Sequence, residues 1–299
     1  MRCVMAASLA RNTGSNKMQT IHSIQALRET LQAERAAGKR IGLVPTMGNL
    51  HEGHLRLVHQ AAECCDVIVA SIFVNPLQFG ENEDLDSYPR TLQADQEKLI
   101  GAGCHYLFAP SDAEMYPDGR GTQTQVEVPG LSDIHCGASR PGHFQGVTTV
   151  VCKLFGIVQP DVAVFGEKDY QQLMVIRRMA EDLYLPVEIQ GAPIARNDDG
   201  LALSSRNGYL SEEQLKVAPT LQKTLQAAKA AILAGRRDYQ ALEEESYQAL
   251  EAVGFNRDFF TVCDATDLSP ATAESRKLVI LAAAPLGGAR LIDNIEIDL

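Results

Sequence analysis

The chain has 299 residues and an acidic balance, with 27 lysine and arginine residues against 38 aspartate and glutamate residues and a formal net charge of −11. Nucleic acids and anionic membranes bind clustered basic charge, so this composition argues against both as partners. Hydrophobic residues make up 45% of the chain, which is ordinary for a globular protein, and no apolar run reaches the ~18 residues of a membrane span. Seven irregularly spaced cysteines indicate neither a disulfide framework nor a zinc site, and they favour a reducing cytoplasm.

Residues 1–17 differ from the rest of the chain because they are basic and contain no acidic side chain. We interpret them as an N-terminal extension, either an upstream start or a disordered tail. A targeting peptide is the alternative, but the segment is short for a transit peptide and weakly apolar for a secretory signal. Residues 24–37 carry Ile24, Leu27 and Leu31 at helical spacing, which predicts the first helix.

The most informative stretch follows this helix. Residues 41–44 form a short apolar run that Pro45 ends, which predicts a buried strand. After the turn at residues 46–49, apolar spacing predicts a helix that begins near His51 and His54. A helix N-terminus offers free backbone N–H groups and the positive end of the helix dipole, so it attracts phosphate. Histidines three residues apart lie on the same side of the first turn, and both can donate to phosphate oxygens.

Two glycines accompany these histidines. Gly48 and Gly53 carry no Cβ, so a ligand can approach the backbone closely at both positions. A single histidine here is more simply explained as a helix cap or a surface residue. The pair together with its glycines indicates a phosphate-binding site.

A second loop with polar side chains follows the next strand. Residues 67–75 are a nearly continuous, β-branched apolar run, typical of a central parallel strand. Asn75 and Gln78 come at its carboxyl end, where open α/β sheets bind ligands, and the Gln78 amide can both donate and accept hydrogen bonds. We interpret the acidic residues 81–86 as a solvated flap over the mouth of the pocket.

The middle of the chain is rich in loop residues. The pattern predicts a helix at residues 91–102 and a strand at residues 106–109. Residues 110–142 are predicted to form a long loop that contains a short strand at residues 126–128. A loop of that length in a compact domain is often functional. Arg140 and His143 then stand at the entry of a helix that runs to about residue 158, where they can bind an anion or cap the helix.

A third loop leaves the end of a predicted strand at residues 161–165 and enters a helix that runs to about residue 183. Lys168 is a compact cation suited to phosphate oxygens. Asp169 can bond a ribose hydroxyl or help to hold Mg²⁺. The alternative is a solvated lysine–aspartate pair in a turn.

A fourth polar segment follows a strand predicted at residues 185–194. Ser204, Ser205 and Arg206 supply two hydroxyls and a guanidinium that can clamp a triphosphate, although serine-rich loops are common and this signal is weak alone. Beyond it, the pattern predicts a small α+β domain. Its helices are predicted at residues 212–234 and 239–253, and its strands at residues 259–264, 277–283 and 290–297.

Four strings in this order carry a family resemblance: PTMGNLHEGH at residues 45–54, FVNPLQF at 73–79, GEKDYQQL at 166–173 and LSSRN at 203–207. From about Met18 to the C-terminus the chain resembles the pantoate–β-alanine ligase (pantothenate synthetase) family of the HxGH nucleotidyltransferase superfamily. The resemblance implies an α/β fold in which residues 18–194 form a Rossmann-like parallel sheet flanked by helices, which binds nucleotide and pantoate. Residues 195–299 would form a smaller C-terminal α+β lid domain. Leu203 stands where the family often has methionine.

The resemblance also implies an activity, the ATP-dependent condensation of pantoate with β-alanine to pantothenate, a coenzyme A precursor. The reaction would pass through pantoyl adenylate and release AMP and pyrophosphate, with ATP as a substrate accompanied by Mg²⁺ that is held mostly by the nucleotide and water. A cytoplasmic homodimer is expected. The implied catalytic residues are His51, His54, Lys168, Ser204, Ser205 and Arg206, and the implied pantoate- and β-alanine-binding residues are Asn75, Gln78 and Gln172. The implied ATP-binding residues are Met47, Gly48, Asn49, Leu50, His51, Glu52, Gly53, His54, Gly166, Glu167, Lys168, Asp169, Ala195, Leu203, Ser204, Ser205 and Arg206.

Three other interpretations stay open at this point. A nucleotidyltransferase that adenylates a phosphate monoester should lack the paired glutamines Gln78 and Gln172. An aminoacyl-tRNA synthetase fits poorly, because the chain is acidic and has no evident RNA-binding module. A nucleotide-binding sensor that has lost turnover would keep the same cleft, and pyrophosphate release from ATP and pantoate would distinguish it. Neither G-x-G-x-x-G nor G-x-x-x-x-G-K-[ST] occurs, which disfavours dinucleotide enzymes and P-loop ATPases.

Overall fold

The computed structural model describes residues 18–81 and 83–299, so the predicted N-terminal extension lies outside the described residues. The elements of the first part are β1 (Gln19–Ile21), α1 (Ile24–Ala36), β2 (Ile41–Thr46), α2 (Glu52–Cys64), β3 (Val67–Ile72), α3 (Leu92–Gly101), β4 (Tyr106–Phe108), α4 (Asp112–Met115), α5 (Cys136–Ser139), α6 (His143–Val158), β5 (Val162–Gly166), α7 (Tyr170–Asp182) and β6 (Glu188–Ala192). The second part contains α8 (Glu212–Val217), α9 (Thr220–Leu233), α10 (Tyr239–Glu251), β7 (Phe259–Asp264), β8 (Lys277–Leu286) and β9 (Ala289–Asp298).

The first six strands form one parallel sheet in the order β1-β4-β3-β2-β5-β6, which confirms the predicted Rossmann-like α/β fold. From β2 the chain winds outward to β3 and β4, and it then places β5 and β6 on the other side of β2. The winding direction therefore changes at β2. Open α/β sheets bind ligands in the crevice at such a switch point, outside the carboxyl ends of the strands.

Both faces of this sheet are covered because its strands are apolar on both sides. Leu43 and Val69 point into one core with α1, α6 and α7. Val44 and Ile68, their neighbours in the chain, point into the other core with α2 and α3. Alternation of side chains along a strand produces this division, and it explains the continuous apolar runs in the sequence.

The second part of the chain builds a separate core. Strands β7, β8 and β9 pair antiparallel in that order, which confirms the smaller α+β unit. Leu225 of α9, Leu250 of α10 and Phe260 of β7 are buried together in this core. The domain boundary at residue 195 stays a prediction. Within the described residues, no helix combines the length and the apolar character needed to cross a membrane.

Most predicted elements occur with similar ends, but two predictions were wrong. No strand forms at residues 126–128, because the backbone of Val126 is satisfied by α6: its N–H donates to Thr149 Oγ1 at 3.0 Å and its carbonyl accepts from Thr148. The single helix predicted at residues 212–234 is two helices, α8 and α9, separated at Pro219, which has no N–H to continue the helical ladder. The short helices α4 and α5 were not predicted.

Helix α6 packs directly against the loop after β3, and a glycine permits this contact. A Cβ at Gly146 would overlap the carbonyl of Leu77 and lie 2.6 Å from the backbone nitrogen of Gln78. We expect Gly146→Ala to lower the free energy of unfolding by about 1–3 kcal/mol, because backbone must move to accommodate the methyl group. Urea denaturation measures this change.

The same helix offers a matched control. A Cβ at Gly156 would meet nothing within 4 Å, and Gly156 is exposed. Gly156→Ala should leave stability unchanged or raise it by about 0.5–1 kcal/mol, since alanine has the higher helix propensity. Equal effects of the two substitutions would show that close packing at Gly146 does not limit stability.

Candidate active site

A cleft opens at the carboxyl ends of β2, β3 and β5, at the point where the winding of the sheet changes direction. One wall is apolar and comes from α6, which contributes Val147, Val150, Val151 and Leu154. The rest of the cleft brings together most of the predicted site residues: Met47, His51, Gly53, His54, Gln78, Gly166, Lys168, Asp169, Gln172, Ala195, Leu203, Ser204, Ser205 and Arg206.

The other predicted residues do not line the cleft: Gly48, Asn49, Leu50, Glu52, Glu167 and Asn75. Leu50 is 2% exposed and packs in the core beside α2 and α3. Glu52 is exposed at the start of α2. These residues belong to the segments that shape the cleft, and Asn49 contacts a cleft residue, since its Nδ2 donates to the carbonyl of Ser205 at 3.4 Å.

His51 and His54 form a reciprocal cap at the start of α2. His51 is the N-cap residue, and its Nδ1 accepts the N–H of Gly53 at 3.1 Å. His54 Nδ1 accepts the N–H of His51 at 3.3 Å. A neutral imidazole that accepts at Nδ1 carries its proton at Nε2, so each ring has an Nε2–H donor. The capping role and the phosphate-binding role predicted from sequence are therefore compatible.

Both rings are neutral at physiological pH. Burial, the neighbouring His54 and the Lys168 ammonium lower the pKa of His51 to about 3. Burial also lowers the pKa of His54 to about 4, although the Asp169 carboxylate acts in the opposite direction. With ring centroids 4.1 Å apart, two imidazolium ions would repel each other, whereas two neutral N–H donors do not.

The turn before these histidines is held by a carboxylate of α3. Gly48 and Asn49 have φ values of +85° and +50°, so their backbone lies in the left-handed region. The Asp95 carboxylate, 0% exposed, accepts the N–H groups of Asn49 at 2.9 Å and Leu50 at 2.8 Å. It also accepts the Thr91 hydroxyl at 3.0 Å.

Sequence reasoning missed this support. Lys98, on the same helix, donates to the carbonyl of Leu50 at 2.6 Å. Thr91, Asp95 and Lys98 are spaced four and three residues apart, so they share one face of α3. A polar face at helical spacing was the available signal, although nothing in the sequence indicated what it contacts.

Gln78 is held in place by its neighbours. Its Nε2 donates to Met47 Sδ at 3.0 Å, and its Oε1 accepts from Asn75 Nδ2 at 3.2 Å. Asn75 is 1% exposed, and its Oδ1 accepts the Tyr116 hydroxyl at 2.7 Å. Asn75 therefore orients Gln78 from behind, and Tyr116, which sequence reasoning missed, orients Asn75.

The entry of α6 also holds the Gln78 loop. Arg140 Nη1 donates to His143 Nε2 at 3.0 Å, and His143 Nδ1 donates to the carbonyl of Gln78 at 2.8 Å. Burial and the Arg140 charge lower the pKa of His143 to about 4, which keeps this ring neutral. The sequence predicted that Arg140 and His143 bind an anion or cap the helix. Their contacts instead fit a role in positioning Gln78.

Two residues of the acidic loop, Glu83 and Asp84, are ion-paired and half-buried, so the interpretation of a solvated flap was wrong for them, whereas Glu81 and Asp86 are exposed. Glu83 binds the Arg140 guanidinium through Nε at 2.6 Å and Nη2 at 2.5 Å. Asp84 binds Arg206 through Nε at 3.1 Å and Nη2 at 2.8 Å. The side chains of Glu83 and Asp84 are only 25% and 21% exposed. Burial raises the pKa of Asp84, but the hydrogen bonds and charge of Arg206 outweigh it and leave the pKa lowered.

The remaining polar groups of the cleft are less constrained. Within residues 18–81 and 83–299, no carboxylate lies within 4 Å of the Lys168 ammonium. Ser205 Oγ is hydrogen-bonded to the hydroxyl of Tyr88 at 3.2 Å, a partner that sequence reasoning missed. Of the two adjacent glutamines, Gln171 binds the backbone of the loop before α5, which leaves Gln172 as the one that lines the cleft.

Comparison with known proteins gives consistent results. The family model for pantoate–β-alanine ligase matches residues 19–296. The pantothenate synthetase of Pseudomonas fluorescens strain Pf-5 is 61% identical over 282 residues, which cover 94% of this chain and 99% of that protein. A crystal structure of pantothenate synthetase from Thermus thermophilus matches with a TM-score of 0.87 and 46% identity over 94% of this chain and 100% of that one. A pantoate–β-alanine ligase from Francisella tularensis, complexed with β-γ ATP and β-alanine, matches with a TM-score of 0.79 and 32% identity over 93% and 97% of the two chains.

Acidification should destabilise the fold through His51 and His54. In the unfolded chain each imidazole takes up a proton near its ordinary pKa of about 6.5. In the folded protein the pKa is about 3 for His51 and about 4 for His54. The unfolded state therefore binds more protons, and the free energy of unfolding falls as the pH drops from about 6.5 towards 4. Urea unfolding at a series of pH values in this window measures the slope.

The double variant His51→Gln/His54→Gln should reduce this dependence by the share of these two rings, while His143, whose pKa is also lowered to about 4, keeps its own share. His59→Gln removes an exposed imidazole from the same helix and serves as the matched control, with the slope of the unmodified protein expected. If the double variant kept the full slope, the assignment of two neutral histidines in the folded state would be wrong.

Asp95→Asn should weaken the turn at residues 48–50. Both carboxylate oxygens accept backbone N–H groups, so an amide must direct its NH₂ towards at least one of these donors. We expect a loss of about 1–3 kcal/mol in the free energy of unfolding, measured by urea denaturation, because a buried donor loses its partner.

Thr91→Val is the control for this effect, since it removes only the hydroxyl donor to Asp95 and leaves both backbone contacts. It should cost about 1 kcal/mol or less. Similar losses in the two variants would show that the turn does not depend on the carboxylate.

Proposed function

This chain belongs to the pantoate–β-alanine ligase family, and from that premise we propose how its cleft carries out the reaction. The protein is a ligase that forms pantothenate, with ATP as a substrate. The proposal concerns the path: pantoate is first converted to pantoyl adenylate, and β-alanine then displaces AMP. One observation carries this proposal. His51 and His54 offer neutral Nε2–H donors at a helix N-terminus, and the same cleft contains Lys168, which has no carboxylate partner in the described chain.

Two steps are needed because a carboxylate oxygen is a poor leaving group. In the first step a pantoate carboxylate oxygen bonds to the α-phosphorus of ATP, and the bond between this phosphorus and the oxygen bridging to the β-phosphate breaks. Pyrophosphate leaves. In the second step the amine of β-alanine bonds to the acyl carbon, the bond between this carbon and the phosphate oxygen breaks so that AMP leaves, and the amine gives up a proton to water. Neither step requires a protein nucleophile, so catalysis consists of positioning and charge stabilisation.

The polar side of the cleft supplies groups for the triphosphate. His51 and His54 offer neutral N–H donors, and Lys168 offers a full positive charge. We propose that these groups, with the hydroxyls of Ser204 and Ser205, stabilise the charge that develops on the departing pyrophosphate. The start of α2 adds the favourable end of the helix dipole.

Arg206 can take part without leaving Asp84. Asp84 occupies the edge formed by Nε and Nη2, and within the described residues Nη1 has no hydrogen-bond partner. A phosphate oxygen can therefore bind Nη1 while the carboxylate holds the other edge and orients the plane of the guanidinium.

The opposite side of the cleft suits pantoate. Pantoate carries a carboxylate, two hydroxyls and a geminal dimethyl group. We propose that Gln78 and Gln172 bind its polar groups, since both line the cleft and amides can donate and accept. Val147, Val150 and Val151 of α6 offer an apolar surface for the dimethyl group.

A magnesium ion fits this site as a companion of the nucleotide. Within residues 18–81 and 83–299 no three histidine, cysteine or acidic side chains converge on a metal position. Asp169 is the acidic residue that lines the cleft. Magnesium typically keeps several waters and binds phosphate oxygens with one or two carboxylates, so Asp169 would hold it and the ion would offset phosphate charge.

We also propose a cytoplasmic homodimer and a lid role for residues 195–299. The free cysteines of the described chain are consistent with a reducing compartment. The dimer is proposed from the family resemblance. The lid role is supported by Leu203–Arg206, which line the cleft from the second part of the chain.

AMP formation tests the proposed reaction. With ATP and Mg²⁺ present, the purified protein should release AMP continuously only when both pantoate and β-alanine are added. Without β-alanine, pantoate should still support exchange of labelled pyrophosphate into ATP, because the adenylate forms reversibly. His54→Ala should lower kcat by about 10²–10³-fold, the effect of removing one donor to a developing oxyanion.

His59→Ala, on the exposed side of the same helix, should leave kcat unchanged. AMP release without pantoate would identify a different adenylyl acceptor. Absence of turnover under every condition would favour a nucleotide sensor, and pantothenate formation without pantoate-dependent exchange would contradict the adenylate path.

A further inference from the structure

The turn that carries Lys168 has no side-chain cap of its own. It is a 3₁₀ turn at Glu167–Asp169 that leads directly into α7. Gly166 precedes the turn and has no side chain, and Asp169, which precedes α7, makes no side-chain cap bond. The conformation that places the Lys168 ammonium in the cleft therefore needs support from elsewhere.

That support comes from β9 in the second sheet. Asn294 Nδ2 donates one hydrogen to the carbonyl of Glu167 at 2.8 Å and the other to the carbonyl of Lys168 at 3.0 Å. Asn294 is 4% exposed, so both bonds are shielded from water. Two carbonyl acceptors also fix the orientation of the amide, because only its NH₂ end can donate.

The residue before Asn294 is itself immobilised. The Asp293 carboxylate binds Arg196 through two bonds of 2.6 and 2.8 Å, and it accepts the N–H of Asn294 at 2.8 Å. Asn294 thus projects from a rigid part of the strand. The Lys168 side chain leaves the backbone between the carbonyls of Glu167 and Lys168. Because the rigid Asn294 amide binds both carbonyls, it determines where this side chain begins.

We propose that Asn294 is a positioning residue for Lys168. It acts through the carbonyls of Glu167 and Lys168, and it determines where the ammonium lies relative to the triphosphate. This inference rests on the proposed function, because it takes Lys168 as the group that contacts ATP. Asn294 does not line the cleft itself; it lines a smaller neighbouring pocket that shares Lys168, Asp169 and Gln172 with the cleft.

A nearby contact provides the matched control. Tyr170 donates its hydroxyl to Glu296 at 2.8 Å, so it also joins the start of α7 to β9. This contact involves neither backbone carbonyl of the turn. Tyr170→Phe removes a hydrogen bond between the same two elements and leaves the support of Lys168 in place.

A double-mutant cycle tests the proposal. The variants are Asn294→Leu, Lys168→Ala and the combination, with kcat/KM for ATP measured by AMP formation and the Kd of MgATP measured by calorimetry. We expect Asn294→Leu to lower kcat/KM about 10–100-fold when Lys168 is present and less than about threefold when it is absent, since residues that act through one group are not additive. Tyr170→Phe should stay within about twofold in both backgrounds.

Equal losses from Asn294→Leu in both backgrounds would overturn the proposal, as would the absence of any loss when Lys168 is present. Urea denaturation identifies a variant that fails to fold, and Asn294→Ser, a smaller change that cannot reach both carbonyls, is then carried through the same cycle. If the unmodified protein made no AMP, the proposed function and this inference would fail together. If it were active and the cycle additive, only the role of Asn294 would fail.

Discussion

The buried carboxylate of Asp95 is the contact on which the cleft depends. Residues 48–50 connect β2 to α2 through a left-handed turn whose N–H groups point towards α3. Such donors would cost free energy if they were buried without acceptors. Asp95 accepts them from the far side of the turn, which leaves the first turn of α2 open to a ligand. The orientation of His51 and His54 follows, because their Nδ1 atoms accept backbone N–H groups at the start of α2, directly after this left-handed turn.

The cleft carries less positive charge than its number of basic residues suggests. Asp84 partly neutralises Arg206, and Glu83 neutralises Arg140. His51 and His54 are uncharged because burial opposes protonation. Of the two cations that line the cleft, Lys168 and Arg206, Lys168 is thus the one with no carboxylate partner among the described residues. An acidic protein can in this way bind a polyanion through directed N–H and O–H donors, without a general attraction for nucleic acid.

The sequence was sufficient to predict the parallel sheet from local apolar patterns, and most of the predicted site residues, which came from polar loops and family motifs, line the cleft. Apolar runs revealed the strands, and the polar residues that follow strand ends must meet at one edge of a parallel sheet. The supports of those residues were not predictable. Asp84 and Arg206 are 122 residues apart, and Asn294 lies 126 residues from Lys168, so no local spacing relates them. The predicted strand at residues 126–128 failed for a related reason, since its apolar alternation cannot show that threonines of α6 take the backbone bonds.

Two segments of the cleft carry a cation, Lys168 or Arg206. Two residues that are adjacent in β9 hold these segments, one residue for each. Asn294 binds the turn of Lys168, and Asp293 binds Arg196, which donates to the carbonyl of Gly200 at 3.0 Å in the turn that leads to Ser204–Arg206. Adjacent residues of a paired strand keep a constant separation. The same two segments are also joined to the first part of the chain, because the turn of Lys168 directly follows β5 and Arg206 is ion-paired with Asp84. The positions of the Lys168 and Arg206 charges therefore depend on contacts from both sheets, with β9 on one side and β5 and the Asp84 loop on the other.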